Sequence, residues 1–272
     1  MKIIAEPTRI QQMLKQTLFY KSKPLLESVT AVISPEKGMS LLDLSLGVAG
    51  FYARYPKEYF LQFECEQPEI VVLSKRILDI LSNAFKEDKQ LTISTLENKL
   101  YIRGIRETFA DDLEQGQKPT LPFKLVTNPS GVVPEKFEPL LRVAINSDEL
   151  NFPDAESYTL KTTEEGKMFV EITNIGKYTK ELKLNDNPNI PKIIKPTSLT
   201  LDADYFQRLI TNLSGEVVLS LDKMSTIIHQ KTKDYHITYY LTGKQEIEEQ
   251  ALPTKTEEQP KQPEPSEEEI VP

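Results

Sequence analysis

Few residues in this chain are placed to do chemistry. Its two histidines, His229 and His236, fall in or beside β-prone runs, with no cysteine or acidic cluster at metal-ligand spacing. Both read as strand or surface residues, and no metal is expected. The single cysteine, Cys65, stands between Glu64 and Glu66. Neighbouring carboxylates raise a thiol's pKa, the opposite of what a nucleophile needs. Asp111-Asp112 reads as an exposed acidic turn. There is neither a Gly-x-x-x-x-Gly-Lys-Ser/Thr loop nor a Gly-x-Gly-x-x-Gly turn to cradle a phosphate. These residues describe a protein that is not an enzyme and takes no cofactor.

What remains is a pattern of basic side chains on three helices. Apolar residues recur at helical spacing near 8–19 (Ile10, Met13, Leu14, Leu18), 74–85 (Ile77, Ile80, Leu81, Phe85) and 203–213 (Phe206, Leu209, Ile210, Leu213). Ser74 and Asp202 are the expected N-caps of the last two. Their outward faces carry Arg9, Lys15, Lys75, Arg76 and Arg208 against Asp79 and Asp204. Gln11, Gln12, Gln16, Asn83, Gln207 and Asn212 fill the remainder. Such faces suit either plain solvation or contact with a DNA backbone.

The elements that position these helices repeat. Residues 29–33 and 39–46 form a hairpin around Pro35–Gly38, followed by an extended run at 58–63, the second helix, a hairpin from 90–95 and 99–106, and a strand at 121–126. After residue 138 come a strand at 140–145, a hairpin from 158–163 and 168–173, a run at 178–184, the third helix, and strands at 216–221, 226–230 and 236–241. Two tandem copies of one α+β unit is the economical reading, at a normal domain size. Residues 1–126 make the first domain and 139–244 the second. Residues 127–138, with Pro129, Gly131 and Pro134, are expected to be an extended, exposed connector.

Most of the net charge of −8 sits in residues 245–272, where nine Glu against two Lys give −7. That segment, with five prolines and almost no large apolar side chain, is expected to be a disordered tail. The body is therefore near neutral. No run of about 18 apolar residues exists, no secretory signal opens the chain, and one cysteine excludes an internal disulfide. A soluble protein of the cell interior, in cytoplasm, nucleoid or nucleus and not secreted, is expected.

In this order of elements, several segments resemble the proliferating-cell-nuclear-antigen (PCNA) family of DNA sliding clamps. Residues 38–51, GMSLLDLSLGVAGF, look like its Gly-Val-x-Leu strand, and Ser74-Lys75 opens a helix similar to its Ser-Lys-Ile-Leu helix. Val132-Val133-Pro134-Glu135 resembles the family's Gly-Ile-Pro-Glu connector end, residues 199–221 its late strand-helix-strand, and residues 224–244, with Tyr239-Tyr240-Leu241, its closing strands. The resemblance implies helices around a central hole with curved sheets outside, and a homotrimeric ring acting as a processivity factor in DNA replication and repair. Ring closure would pair edges at 118–126 and 178–184. The partners it implies are duplex DNA without sequence preference, DNA polymerase, a clamp loader and other proteins carrying clamp-binding peptides, with no membrane. DNA contact would run through Arg9, Lys15, Lys21, Lys23, Lys75, Arg76 and Arg208. The peptide pocket would be formed by Leu44, Val48, Ala49, Val132, Val133, Pro134, Tyr240 and Leu241.

Two features depart from the family pattern. Where a helix should follow the strand at 140–145, residues 146–157 are too short, contain Pro153 and are acidic. Thr242-Gly243 and Ser225 replace residues that are typically Ala-Pro and Pro near the pocket. A specialised subunit of a heteromeric ring is the second reading. A generic interaction module with an acidic tail is the third.

Overall fold

The computed structural model describes residues 1–44, 47–113, 124–173 and 178–244. Its first half runs β1 (Lys2–Ala5), α1 (Pro7–Thr17), β2 (Ser28–Ser34), β3 (Gly38–Asp43), β4 (Ala49–Tyr55), β5 (Gln62–Glu64), β6 (Glu69–Ser74), α2 (Lys75–Asn83), β7 (Leu91–Leu96), β8 (Lys99–Arg103) and β9 (Thr108–Asp112). A hairpin of β10 (Leu125–Asn128) and β11 (Gly131–Pro134) follows. The second half runs β12 (Leu141–Asn146), β13 (Ser157–Thr162), β14 (Met168–Thr173), β15 (Tyr178–Glu181), β16 (Leu184–Asn185), β17 (Ile193–Ile194), β18 (Thr197–Asp202), α3 (Ala203–Ile210), β19 (Glu216–Leu221), β20 (Ser225–Lys231) and β21 (His236–Thr242).

The repeat shows in the sheets. The order β5-β1-β7-β8-β9 recurs as β16-β12-β19-β20-β21, and β4-β3-β2-β6 recurs as β15-β14-β13-β18. One junction between these sets is closed inside the chain: β21 pairs antiparallel with β4, from His236 opposite Arg54 to Leu241 opposite Ala49. The counterparts of that pair, β9 on the five-stranded sheet and β15 on the four-stranded one, each end a sheet among the described residues. The architecture is α+β, with short helices packed on extended sheets.

Local sequence explains these elements. Along β2 the buried positions alternate, Val29, Ala31 and Ile33, as a strand with one core face requires. On α1, Ile10, Met13, Leu14 and Thr17 are buried at helical spacing, and Pro7 sits in the first turn, where its missing N–H costs nothing. Asp202 caps α3, its Oδ1 accepting from the amides of Asp204 at 3.0 Å and Tyr205 at 3.2 Å. Ser74 occupies the cap position of α2, but its hydroxyl makes no cap bond.

Several sequence expectations need correction. Asp111 and Asp112 lie on β9, opposite Leu100 and Lys99, not in a turn. Ala49–Tyr55, given no strand of its own, is β4 and carries the internal junction. Between residues 125 and 134 the connector is a docked hairpin, not an extended segment. The described edge of the first sheet is β9, whereas the expected one, 118–126, lies partly outside the described residues. Expectations for residues 121–123 and for the tail, 245–272, also lie outside them. After β12 there is only a 3-10 turn, Ser147–Leu150, where the first half has α1. Among the described residues no helix is long and apolar enough to cross a membrane.

Candidate functional site

Two surfaces gather the residues singled out above. On the helix side, most of the cations already have partners. Lys75 Nζ lies 2.7 Å from Glu27, Lys21 lies 3.3 Å from Asp154, and Arg9 lies 3.7 Å from Glu6 while donating to the Tyr59 carbonyl at 2.7 Å. Arg76 is 67% exposed, 3.8 Å from Asp111 and over the Phe109 ring. Lys15 sits over the Tyr20 ring, and among the described residues no carboxylate lies within ion-pair distance of it or of Lys23. Exposed pairs of this kind are weak and readily exchanged for other anions.

Arg208 does not belong to this surface. It is 8% exposed, its Nε donates to Asp204 at 2.8 Å, and its Nη1 donates to the carbonyls of Phe19 at 3.3 Å and Lys23 at 3.1 Å. The side chain therefore ties α3 to the chain leaving α1, and a phosphate cannot reach it without breaking those bonds.

The polar residues assigned to the outward faces include several that are buried. Gln16 donates from Nε2 to the Asn212 carbonyl at 3.2 Å and the Tyr235 hydroxyl at 2.9 Å, while Tyr55 donates to its Oε1 at 3.0 Å. Tyr239 donates to the Gln16 carbonyl at 3.0 Å, and Gln207 is buried as well. Burial pushes the Tyr55 and Tyr239 phenols well above their ordinary value, so both stay neutral donors. This lock crosses the internal junction beneath the β21–β4 pair.

The second surface is the outer face of β20, β21 and β4. Tyr240 faces Ile227 on β20 and Gly50 on β4. A Cβ on Gly50 would stand 2.3 Å from Leu44 Cδ2, so glycine there lets Leu44 lie on the strand beside Tyr240. Thr242 N donates to the Val48 carbonyl at 2.8 Å and Gly243 N to the Met224 carbonyl at 2.7 Å, which brings these two exposed side chains, 43% and 58%, to the same end. The hairpin forms the other wall. Tyr240 donates its hydroxyl to the Val132 carbonyl, Thr238 Oγ1 accepts from Val132 N at 3.2 Å, and Val133 is buried with Phe137 and Ile227. Burial pushes the Tyr240 phenol above its ordinary value.

The hairpin tip is pinned too. Arg142 Nε and Ser220 Oγ both donate to Ser130 Oγ, at 2.8 and 2.9 Å. Gly131, at φ +104°, lies so close to His229 and Thr238 that a Cβ would meet both at 2.6 Å. Burial, first, and then His236 lower the His229 pKa to about 4, so His229 is the neutral floor of the hairpin.

The expected pocket residues thus divide. Leu44, Val48, Val132, Pro134 and Tyr240 are at least partly accessible, whereas Ala49, Val133 and Leu241 are buried. Sequence reasoning missed Met224, Phe137 and Ile227, whose only signal was apolarity next to the connector and the closing strands.

No protein-family model and no curated protein sequence matches the chain. Solved structures do. PCNA from Thermococcus kodakaraensis aligns with a TM-score of 0.71 at 12% identity, covering 89% of this chain and 99% of that one. A. fulgidus PCNA, solved with the C-terminal region of FEN-1, aligns at 0.68 and 10%, covering 90% and 98%. A chain of the PCNA2–PCNA3 complex from Sulfolobus tokodaii aligns at 0.68 and 15%, covering 90% and 99%. Likeness over nearly the whole length of both chains, at so low an identity, speaks for architecture: this chain has the fold of the PCNA sliding clamps.

Proposed function

We propose that the chain is a subunit of a ring-shaped DNA sliding clamp, a non-enzymatic tether that holds a polymerase and other replication or repair proteins on duplex DNA. The observation that carries this is the repeat in which one junction is closed and the two strands of its counterpart are left at sheet ends. Inside the chain, the last strand of one copy, β21, pairs with β4 of the other. The corresponding pair, β9 and β15, end separate sheets in this chain and would meet between chains, where head-to-tail repetition makes a ring when the rotation closes. Such pairing uses strand edges that would otherwise invite aggregation. A ring needs only weak, sequence-blind phosphate contacts to stay on DNA, which suits the carboxylate-paired Lys21, Lys75, Arg76 and Arg9 together with Lys15 and Lys23.

Docking runs through the cleft between the hairpin and Val48. Exposed Val48 and Met224 beside half-buried Leu44, Val132 and Tyr240 offer a shallow apolar seat for a peptide with an aliphatic residue and paired aromatics. The A. fulgidus clamp was solved with a partner segment bound, the C-terminal region of FEN-1. Titration calorimetry of that kind of peptide against this chain tests the reading. Saturable binding abolished by Leu44→Asp is expected, and a folded chain that binds no clamp-binding peptide would overturn it.

A further inference from the structure

The outer face of the long sheet carries a row of side chains that the docking cleft does not use. Across β20, β21, β4, β3, β2 and β6, the residues opposite one another are Lys231, His236, Arg54, Ser40, Val32 and Ile70. Beside them, on β4, β3, β2 and β6, run Tyr52, Leu42, Thr30 and Val72. Both rows face away from the helices, because the residues between them, Ile237, Ala53, Leu41, Ala31 and Val71, are buried in the core. With strands about 4.8 Å apart, the first row is a strip about 24 Å long, basic over three strands and aliphatic over the last two.

Both ends of the strip lack partners. Arg54 and Lys231 are exposed, and among the described residues neither takes part in an ion pair. Burial first, and then Lys231 and Arg54, lower the His236 pKa, so at neutral pH its ring sits uncharged between two free cations. Val32, Ile70, Leu42, Val72 and Tyr52 are half-buried on a face that an antiparallel sheet normally gives to polar residues. The second copy shows that the fold does not demand this. Its strands β15, β14, β13 and β18 carry Thr179, Glu171, Thr159 and Thr200 across one outer row, and Lys161 of the next row is paired with Glu171 at 2.6 Å.

The chain itself contains a segment of matching chemistry. Residues 245–272 hold nine Glu against two Lys, and within them Glu267-Glu268-Glu269 is followed directly by Ile270-Val271. Acidic then aliphatic is the order of the strip, basic then aliphatic. The chain is held as far as Lys244, whose amide donates to the Thr200 carbonyl at 2.7 Å and whose Nζ lies 3.2 Å from Asp202. From there a flexible tether reaching Glu267 spans about 26 Å. The length of β21, from Thr242 back to His236, is about 20 Å. A tether matched to its span gives the highest effective concentration, so even weak contacts are well populated. On the helix side, by contrast, Lys21, Lys75, Arg9 and Arg76 already face carboxylates. We propose that Glu267–Val271 docks on the chain's own outer face, its glutamates along Lys231, His236 and Arg54 and its aliphatic pair against Val32 and Ile70. This docking is independent of the clamp reading.

Zero-length carbodiimide coupling joins an amine to a carboxylate only in direct contact, and it tests the docking on the full-length chain. Mass spectrometry should find Lys231 joined to Glu267, Glu268 or Glu269 within one chain. Arg54→Glu should abolish that product, and so should Ile270→Asp, which leaves every glutamate in place. Coupling of these glutamates chiefly to Lys15 or Lys23 overturns the proposal by placing the segment on the helix side. Products found only between chains, in a mixture of isotopically light and heavy protein, overturn it in favour of a second copy. Amide spectra give an independent readout. Changing Glu267, Glu268 and Glu269 together to Gln should shift the amides of Ser40, Val32 and Ile70 and leave those of Thr159 and Thr200 unmoved. Unchanged amides at all five positions also overturn the docking.

Discussion

Arg208 and His229 show how little a residue's type says about its task. Arg208 looks like a phosphate contact on an outward helix face, yet it serves as a three-way tie between α3 and the chain after α1. Arg208→Ala should cost about 1–3 kcal/mol in urea unfolding, because buried carbonyls lose their donor. A change in DNA retention without that loss of stability would contradict this role. His229 has a folded pKa near 4 against an unfolded value near 6.5. Between these values the unfolded chain binds more protons, so stability from His229 is full above the unfolded pKa and is lost as pH falls towards 4. His236, 6.4 Å away, and Lys231 act in the same direction. Denaturation midpoints from pH 7 to 4 should fall in the native chain and fall less steeply in His229→Gln. The thiol of Cys65 is pushed up as expected, although burial leads and Glu69 follows, rather than its chain neighbours.

Among elements, the connector hairpin forms one wall of the proposed docking cleft. It is held by Ser130 on Arg142 and Ser220, by Val132 on Thr238 and Tyr240, and by Val133 in its own small apolar cluster. Gly131 has no room for a side chain and adopts a φ that other residues avoid. Gly131→Ala should therefore lift the tip off His229, at a cost of about 1–3 kcal/mol. Amide exchange of β10 and β11 should accelerate in the variant while β2 and β3 keep native protection. Val133→Ala would act on the same cluster and weaken peptide binding only indirectly, whereas Tyr240→Phe removes the bond to Val132 while keeping the aromatic wall. If Tyr240→Phe bound peptide unchanged and its hairpin kept native exchange rates, that bond would have no part in shaping the cleft.

For the whole molecule, the electrostatics of the helix side matter more than the net charge of −8. Lys75, Lys21, Arg9 and Arg76 each face a carboxylate, so DNA contact in an assembled ring should be sparse and strongly salt-dependent. Changing Lys15 and Lys75 together to Glu should make the slope of log affinity against log salt shallower by about 2, since each phosphate left without its cation removes about 0.9. Peptide binding on the opposite face should not change. An unaltered salt slope in the double variant would move the DNA-facing surface elsewhere.

Local pattern was enough for much of this protein. Alternation in β2, the helical spacing of Ile10, Met13 and Leu14, the cap at Asp202 and the repeated order of elements are all set by neighbours within one turn or hairpin, which is why the α+β repeat was legible. The shortened segment after β12 was legible too, since Pro153 and four acidic residues cannot fill a helix. What only the tertiary structure decided are matters of long-range pairing. Gln16, Gln207 and Arg208 look exposed on a helical wheel, because a wheel carries no information about a second helix that arrives from nearly two hundred residues away. Asp111-Asp112 reads as a turn because charges disfavour strands, yet β8 holds them in β9, with Asp111 beside Arg76. Which of Val132 and Val133 is buried follows from the hairpin register over Ile227, and that register is fixed by contacts with β20 and β21 rather than by anything in the connector itself.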